Sequence, residues 1–227
     1  MNKVLIPARS GSRGLIGKNM RILCGSPLIE YAIKEALEVF LPKDIYLSSD
    51  GKDIIEFGSN FGINLIRRPN KLSNDNSTST DVINHFIECQ ETKKNFSIIY
   101  LQPTSPLRNS EHIRASLDLF NQLNAGSVIS VCLSKESPYK AYKLNKKNLL
   151  EDFITTKDKK ELRQLLPPTY YPNGAIYIFK RDDFIFEGKI PTTSVSPFIM
   201  KTEESVDIDD ELDLKLAEII MGTKNAI

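Results

Sequence analysis

The sequence of 227 residues contains no tryptophan, two histidines and three cysteines. With so few histidines, we expect neither a His-rich zinc site nor a catalytic triad built on His. The cysteines, Cys24, Cys89 and Cys132, are widely spaced and form no C-x-x-C pair, so we expect reduced thiols in a cytoplasmic protein. A metal site in this chain would therefore hold a hard cation through oxygen atoms.

Long apolar runs and an excess of charge of one sign are also missing. No run approaches the roughly 20 residues that span a bilayer, and the N-terminal run at 4–6 stops at Pro7, short of a signal-peptide core of about 7–15 residues. The formal net charge is +1, which provides no global field toward nucleic acid or anionic lipid. We therefore expect neither a nucleic-acid nor a membrane partner, and any recognition of anions must be local.

Short apolar runs alternate with longer amphipathic stretches along most of the chain. We predict strands at 3–7, 45–49, 63–67, 97–101, 127–132, 173–179 and 206–208. We predict helices at 27–40, 52–61, 80–91, 110–123 and 210–221. This alternation predicts an α/β fold, a Rossmann-like and mostly parallel sheet with helices on both faces and ligands at the carboxyl ends of the strands. A chain of this length is expected to form one domain, over 1–227.

Residues 135–170, called the excursion below, interrupt this rhythm. They are rich in lysine and contain two hairpin-like runs, AYKLN and LLEDFITT. Their scattered apolar residues have no evident partner in the sheet, and an exposed apolar set usually marks an interface. We therefore predict that the excursion serves self-association.

The stretch ARSGSRGLIGKN at 8–19 lies between the first predicted strand and helix. A Walker A loop requires G-x-x-x-x-G-K-[ST], but Asn19 follows the glycine-lysine pair and Ser12 replaces the first glycine. A dinucleotide fingerprint requires G-x-G-x-x-G, whereas the glycines here are spaced G-x-x-G-x-x-G. An NAD(P)-linked oxidoreductase is therefore a weak alternative.

A third interpretation of the stretch is a clamp for a nucleoside triphosphate. Backbone N–H groups near the glycines, with Arg9, Arg13 and Lys18, would hold the phosphate oxygens. The remaining alternative is a glycine-rich turn with solvated basic side chains.

Five stretches occur in order between about residues 4 and 220: IPARSGSRGLIGKN, RRPNKLSNDNSTS, LQPTSPLR, YPNGAIYI and SVDIDDELDL. In these stretches the chain resembles the bacterial acylneuraminate cytidylyltransferases, also called CMP-sialic acid synthetases. The resemblance implies a nucleotidyltransferase fold and an enzyme that joins CTP to a nine-carbon 2-keto-3-deoxy sugar acid, with release of pyrophosphate. Ile190 and Pro191 stand where sialic-acid enzymes commonly have aromatic residues, so legionaminic and pseudaminic acids stay open as alternative substrates.

The resemblance also implies roles for individual residues. The nucleotide contacts would be Arg9, Ser12, Arg13, Asn19, Arg68, Ser77 and Ser79. Lys18, Arg163 and Asp209 would be catalytic, and Gln102, Lys140, Asn173 and Tyr177 would contact the sugar acid. A homodimer is implied, in which the excursion brings basic residues to the site of the neighbouring chain. From the sequence alone, Gln102 could instead be a turn residue and Lys140 a solvated lysine of the hairpin.

Asp207 and Asp209 are implied as ligands of Mg²⁺. On a predicted strand, residues two apart point to the same side, so both carboxylates can face one cation. Asp209 could instead cap the last helix, and Asp50 is predicted to cap the helix that follows the second strand. The two acids argue against a non-catalytic nucleotide-binding module. The sequence assigns no acceptor for the hydroxyl proton of the sugar.

Overall fold

Strands and helices alternate along the chain, of which the computed structural model describes residues 1–12, 14–90, 94–123, 125–155, 162 and 165–224. The strands are Asn2–Pro7 (β1), Ile22–Leu23 (β2), Ser26–Pro27 (β3), Ile45–Ser49 (β4), Asn64–Arg67 (β5), Ser97–Tyr100 (β6), Ser127–Leu133 (β7), Tyr142–Leu144 (β8), Leu150–Asp152 (β9), Tyr170–Lys180 (β10) and Val195–Met200 (β11). The helices are Leu28–Leu37 (α1), Lys52–Ser59 (α2), Ser79–Glu88 (α3), Ser110–Leu123 (α4), Arg181–Glu187 (α5) and Glu211–Lys224 (α6).

Seven of the strands form one sheet in the order β11-β7-β10-β6-β1-β4-β5. The neighbouring strands are parallel, except that β10 runs antiparallel to both β6 and β7. The carboxyl ends of β1, β4, β5 and β6 therefore meet at one edge of the sheet, together with the amino end of β10. The predicted α/β fold with a mostly parallel sheet is confirmed.

The core lies on both faces of the sheet because successive side chains of a strand point to opposite sides. In β1, Val4 and Ile6 pack in a cluster with residues of α1, α2 and α4, whereas Leu5 packs with residues of α3 and α5. A third cluster joins α6 to the loop after β1 and to the segment at 205–209. None of the helices in the described part of the chain has the length and apolar character needed to cross a membrane.

The predicted strand at 206–208 is wrong. Val206 and Ile208 are buried as expected, but they pack against Leu15 and α6 instead of joining the sheet. Alternating burial can thus arise without a strand. The edge of the sheet beside β7 is instead formed by β11, and the helix α5 was not predicted.

The excursion contains an antiparallel hairpin of β8 and β9, which forms a sheet separate from the main one. All residues of the two strands are exposed. The hairpin-like runs are therefore confirmed, while the role of the excursion in self-association stays a prediction. Arg13 and Arg163 lie outside the described residues.

Candidate functional site

A cavity of about 250 Å³ lies at the edge where β1, β5 and β6 end. Its walls come from the loop after β1, the segment between β5 and α3, the turn after β6 and the acidic segment before α6. The predicted site residues that line it are Arg9, Ser12, Lys18, Asn19, Arg68, Ser77, Ser79, Gln102, Asp207 and Asp209. Four separate sequence motifs therefore meet at one place.

The loop after β1 is fixed at two points by side-chain hydrogen bonds. Ser10 donates from its backbone N (3.0 Å) and its Oγ (2.5 Å) to the carboxylate of Asp50. Asn19 is buried, and its Nδ2 donates to the carbonyl oxygen of Arg9 at 2.8 Å. The two bonds to Asp50 hold the loop against the sheet edge, and the bond from Asn19 closes the loop on itself, which preorganises it as a cradle for an anion.

Asp50 is not the helix cap predicted from the sequence. The N-cap of α2 is Gly51, and the Asp50 carboxylate faces Ser10 and, at 3.9 Å, the guanidinium of Arg68. Burial alone would raise the pKa of Asp50, but the hydrogen bonds from Ser10 and the charge of Arg68 outweigh it and lower that pKa. The ionised carboxylate of Asp50 thus joins the loop after β1 to the guanidinium of Arg68 at the end of β5. One indication in the sequence that Asp50 belongs to the site is that the residue follows the carboxyl end of a predicted parallel strand.

Arg68 is a nearly buried cation at one wall of the cavity, with 5% of its surface exposed. Its Nε donates to Ser73 Oγ at 2.9 Å, which fixes the plane of the guanidinium. Arg9 lies nearby and donates to the Asn74 carbonyl and to Asp75 Oδ1, both at 3.0 Å. The segment after β5 therefore holds both arginines in place.

The hydroxyl groups predicted to contact the nucleotide flank the start of α3. Thr78 is its N-cap and forms a capping box with Asp81, so that Ser77 and Ser79 come to line the cavity. Tyr100 closes this wall and donates from its hydroxyl to Ser79 Oγ at 3.3 Å. Burial raises the pKa of Tyr100, so the tyrosine is neutral and acts as a donor.

Lys18 and Asp209 line the cavity and form an ion pair, with Nζ 2.8 Å from Oδ1 and the Asp209 side chain exposed to solvent. Gly14 lets the acidic segment approach the loop, because a Cβ at this position would lie 2.3 Å from the Asp209 carbonyl oxygen. Asp209 does not cap α6, since the amides of the first turn bind the Oδ1 of Asp210 instead. The alternative role predicted for Asp209 is therefore wrong.

Asp207 lies beside this pair, because its neighbours Val206 and Ile208 are buried on the other side of the segment. Burial, together with the charge of Asp209, raises the pKa of Asp207. Its Oδ1 is buried and has no hydrogen-bond partner among the described residues. An unpaired carboxylate oxygen at a cavity wall favours a cation there.

The donor set fits Mg²⁺, which prefers oxygen ligands and keeps several waters. Asp207 and Asp209 supply carboxylates only, and the described residues contain no group of three or more His, Cys, Asp or Glu side chains arranged for a metal.

Gln102 lies directly over the strand β10. Gly174 there has φ of +76°, and a Cβ would lie 2.5 Å from Gln102 Oε1 and 3.2 Å from Asp207 Oδ2. The register of β10 against β7 shifts at this point. Gly174 therefore allows the strand to pass beneath two predicted site residues, and a residue with a side chain would displace them.

Three predicted sugar contacts do not line the cavity. Asn173 is 2% exposed; its Nδ2 donates to Ser205 Oγ at 2.9 Å and its Oδ1 accepts from Ser130 Oγ at 2.6 Å. Tyr177 packs beside Tyr100, and burial raises its pKa to about 12. Lys140 is exposed in the excursion, at the end of a short 3₁₀ turn. In this chain Asn173 therefore supports the fold under the site.

The chain is similar to known proteins along most of its length. A family model described as "Cytidylyltransferase" matches residues 3–218. The N-acylneuraminate cytidylyltransferase of Streptococcus agalactiae serotype III (strain NEM316) is 36% identical over 92% of this chain and 50% of that protein. The CMP-N,N'-diacetyllegionaminic acid synthase of Legionella pneumophila is 33% identical over 96% of this chain and 94% of that protein. The chain thus spans about half the length of the first of these relatives.

A solved structure shows the same fold. It is of CMP:2-keto-3-deoxy-manno-octonic acid synthetase complexed with CTP, and it matches with a TM-score of 0.72. The alignment covers 98% of this chain and 99% of the other, at 16% sequence identity. At 16% sequence identity, this similarity shows a shared fold only.

Proposed function

The chain belongs to the cytidylyltransferase family, and from this premise we propose that it joins CTP to a nine-carbon 2-keto-3-deoxy sugar acid. The proposed products are the CMP-sugar and pyrophosphate. The observation that carries the proposal is the cavity itself, which the cations Lys18 and Arg68 line together with the acids Asp207 and Asp209. The names of the relatives support a sialic, legionaminic or pseudaminic acid as the second substrate. An NAD(P)-linked oxidoreductase is disfavoured by the family assignment.

In this proposal the triphosphate lies against the loop after β1. Arg9 and Lys18 would pair with its phosphate oxygens, with the side chains of Ser12 and Asn19 at the same wall. The nucleoside would extend toward Arg68 and the hydroxyl groups at the start of α3, where hydrogen-bonding groups line the cavity. Arg13, from the same loop, is proposed as a further phosphate contact.

Asp207 and Asp209 are the residues that would hold Mg²⁺. The bound ion would neutralise negative charge on the phosphate groups. The unpaired Oδ1 of Asp207 supports this assignment.

The reaction is proposed to be an in-line displacement at the α-phosphorus. The anomeric hydroxyl oxygen of the sugar acid forms the new O–P bond, and the bond from the α-phosphorus to its bridging oxygen breaks. The electron pair of that bond leaves with pyrophosphate, and the hydroxyl proton passes to solvent. Lys18 would neutralise charge that develops on the phosphate oxygens, and Gln102 would orient the sugar acid through its amide.

We also propose that the active form is a homodimer. The exposed apolar side chains of the hairpin support an interface there: Tyr142, Leu144, Leu149, Leu150 and Phe153. Arg163 and Lys140 would then reach the site of the neighbouring chain, where Tyr177 would contact the sugar. A cytoplasmic location is proposed, because the three cysteines form no disulfide and reducing compartments keep thiols free.

Nucleotide selectivity provides the first test. CTP with Mg²⁺, at about 100 times its Kd, should raise the unfolding free energy by roughly 2.7 kcal/mol, which a thermal shift assay detects. ATP and GTP at the same concentration should stabilise the protein less. Stabilisation by ATP or GTP without any by CTP would show that the nucleotide is assigned wrongly.

A further inference from the structure

The turn after β6 ends in a buried arginine that the proposed reaction does not use. Arg108 is 2% exposed, and burial lowers its pKa to about 10, so it is still charged near neutral pH. Its Nε and Nη2 are buried without a hydrogen-bond partner in the described residues. Burying a charged group costs free energy unless specific contacts offset the cost.

The Arg108 side chain donates hydrogen bonds to two carbonyl oxygens on different parts of the chain, and the negative charge of Glu35 on α1 partly offsets the effect of burial on its pKa. Its Nη1 donates to Gln102 O at 3.0 Å and to Ala175 O at 2.9 Å. Ala175 follows Gly174 in β10, at the point where the register of that strand shifts. One guanidinium nitrogen therefore joins the turn after β6 to the strand that passes beneath the site.

The same turn also holds the acidic segment. The carbonyl oxygen of Thr104 accepts a hydrogen bond from the Ile208 amide at 2.8 Å. Ile208 lies between Asp207 and Asp209 in the sequence. The backbone of this turn is thus held at Gln102 by Arg108 and at Thr104 by the acidic segment.

We propose that Arg108 is a positioning residue that sets the Gln102 amide for the sugar-acid substrate. The inference rests on the proposed function. Arg9 and Arg68, which are proposed nucleotide contacts, are held by other contacts, to the segment after β5 and to Ser73. Loss of Arg108 should therefore affect the sugar acid more than CTP.

Three variants test this proposal. Arg108→Met removes the donors and keeps a long side chain, whereas Arg108→Lys keeps a charge and a donor but lacks the planar fork. Arg114→Met is the matched control, because Arg114 lies on α4 and is exposed, and its guanidinium donates to the carbonyl of Glu38. Pyrophosphate release with CTP, Mg²⁺ and the most active of N-acetylneuraminic, legionaminic and pseudaminic acids gives kcat and KM for each substrate.

We expect Arg108→Met to keep the KM for CTP within about two-fold and to lose about ten-fold or more in kcat/KM for the sugar acid, since it leaves buried carbonyls unpaired. Arg108→Lys should recover part of the loss, and Arg114→Met should match the wild type. Unchanged kinetics, or an equal loss for CTP and sugar acid without recovery by lysine, would overturn the proposal.

If Arg108→Met does not fold, the kinetics of Arg108→Lys with both substrates test the proposal. A selective loss at the sugar acid supports the proposal, and unchanged kinetics or an equal loss for both substrates overturns it. A wild-type protein that releases no pyrophosphate overturns the proposed function and this inference together. An active wild type with unselective variants overturns this inference alone.

Discussion

Lys18 and Asp209 are 191 residues apart in the sequence, and the Nζ of Lys18 lies 2.8 Å from the Oδ1 of Asp209. This pair brings the loop after β1 to the segment before α6, which carry the proposed phosphate and metal contacts. We expect both residues to change partner when CTP and Mg²⁺ bind, Lys18 toward a phosphate oxygen and Asp209 toward the cation.

Asp209→Asn should abolish most of the activity and leave the fold intact. An amide has nearly the same shape but lacks the charge that holds a hard cation, so we expect turnover to fall by about two orders of magnitude. Asp210→Asn is the matched control, because Asp210 binds the first amides of α6 and asparagine caps a helix equally well. Steady-state kinetics and thermal unfolding of both variants check this. Wild-type turnover in Asp209→Asn would contradict the metal role.

Asp50→Asn should weaken CTP binding, because an amide cannot accept both hydrogen bonds of Ser10 and also face the guanidinium of Arg68. We expect the KM for CTP to rise about ten-fold, the effect of a lost hydrogen bond to a charged group. Asp53→Asn, at an exposed acid in the first turn of α2, should leave it unchanged. An unaltered KM for CTP in Asp50→Asn would show that the loop holds its shape without this carboxylate.

The same variant tests a pH dependence. The pKa of Asp50 is lowered in the folded chain, so the unfolded chain binds the proton more tightly. The stabilisation by this carboxylate is therefore complete above its ordinary pKa of about 4 and is lost as the pH falls toward the folded value. Denaturant unfolding of wild type and Asp50→Asn should give a constant difference at neutral pH that shrinks below about pH 4. A difference independent of pH would argue against an ionised Asp50.

Gly174→Ala should lower turnover by more than its loss of unfolding free energy alone would. A Cβ there meets Gln102 and Asp207, and φ is positive. Gly62→Ala is the matched control, since φ is +66° and nothing lies within 4 Å of the added Cβ. Both variants should lose about 1–2 kcal/mol of unfolding free energy from the left-handed backbone, while only Gly174→Ala should lose turnover, by about ten-fold or more. Equal turnover in the two variants would show that Gly174 does not shape the site.

The sequence predicted most of this arrangement because strands and helices differ in local periodicity. The helix at 110–123 and the strand at 45–49 coincide with α4 and β4. Periodicity reports which side chains are buried, not what they pack against, and residues 206–208 were therefore mistaken for a strand. The true edge strand, β11, contains Pro197 and is only partly buried, so its apolar pattern is weak.

The individual side-chain contacts of the site were harder to predict from the sequence than the strands and helices. Asp50 ends a predicted strand before a helix, and that pattern fits a cap as well as a contact across the sheet edge. Asn173 follows the family motif, but its buried amide donates to Ser205 and accepts from Ser130 instead of lining the cavity. Such partners lie 32 and 43 residues away in the sequence, and only the packing of β10 brings them together.

The dimer is tested by mixing two inactive variants. If Arg163 serves the site of the neighbouring chain, an equal mixture of Arg163→Ala and Lys18→Ala chains should recover about a quarter of the wild-type activity, because half of the dimers are mixed and each has one complete site. Each variant alone should stay inactive. Sedimentation of the wild type as a monomer at micromolar concentration would contradict the dimer. A dimer without complementation would place Arg163 in the site of its own chain.

Pyrophosphate release measured with CTP and a panel of nonulosonic acids tests the proposed function most directly. The panel contains N-acetylneuraminic, legionaminic and pseudaminic acids, each with Mg²⁺, and ATP and GTP replace CTP in parallel reactions. We predict pyrophosphate only when CTP, Mg²⁺ and one of these acids are present together, and a CMP-sugar in equal amount. No release with CTP and any of the acids, or equal release with ATP, would contradict the account.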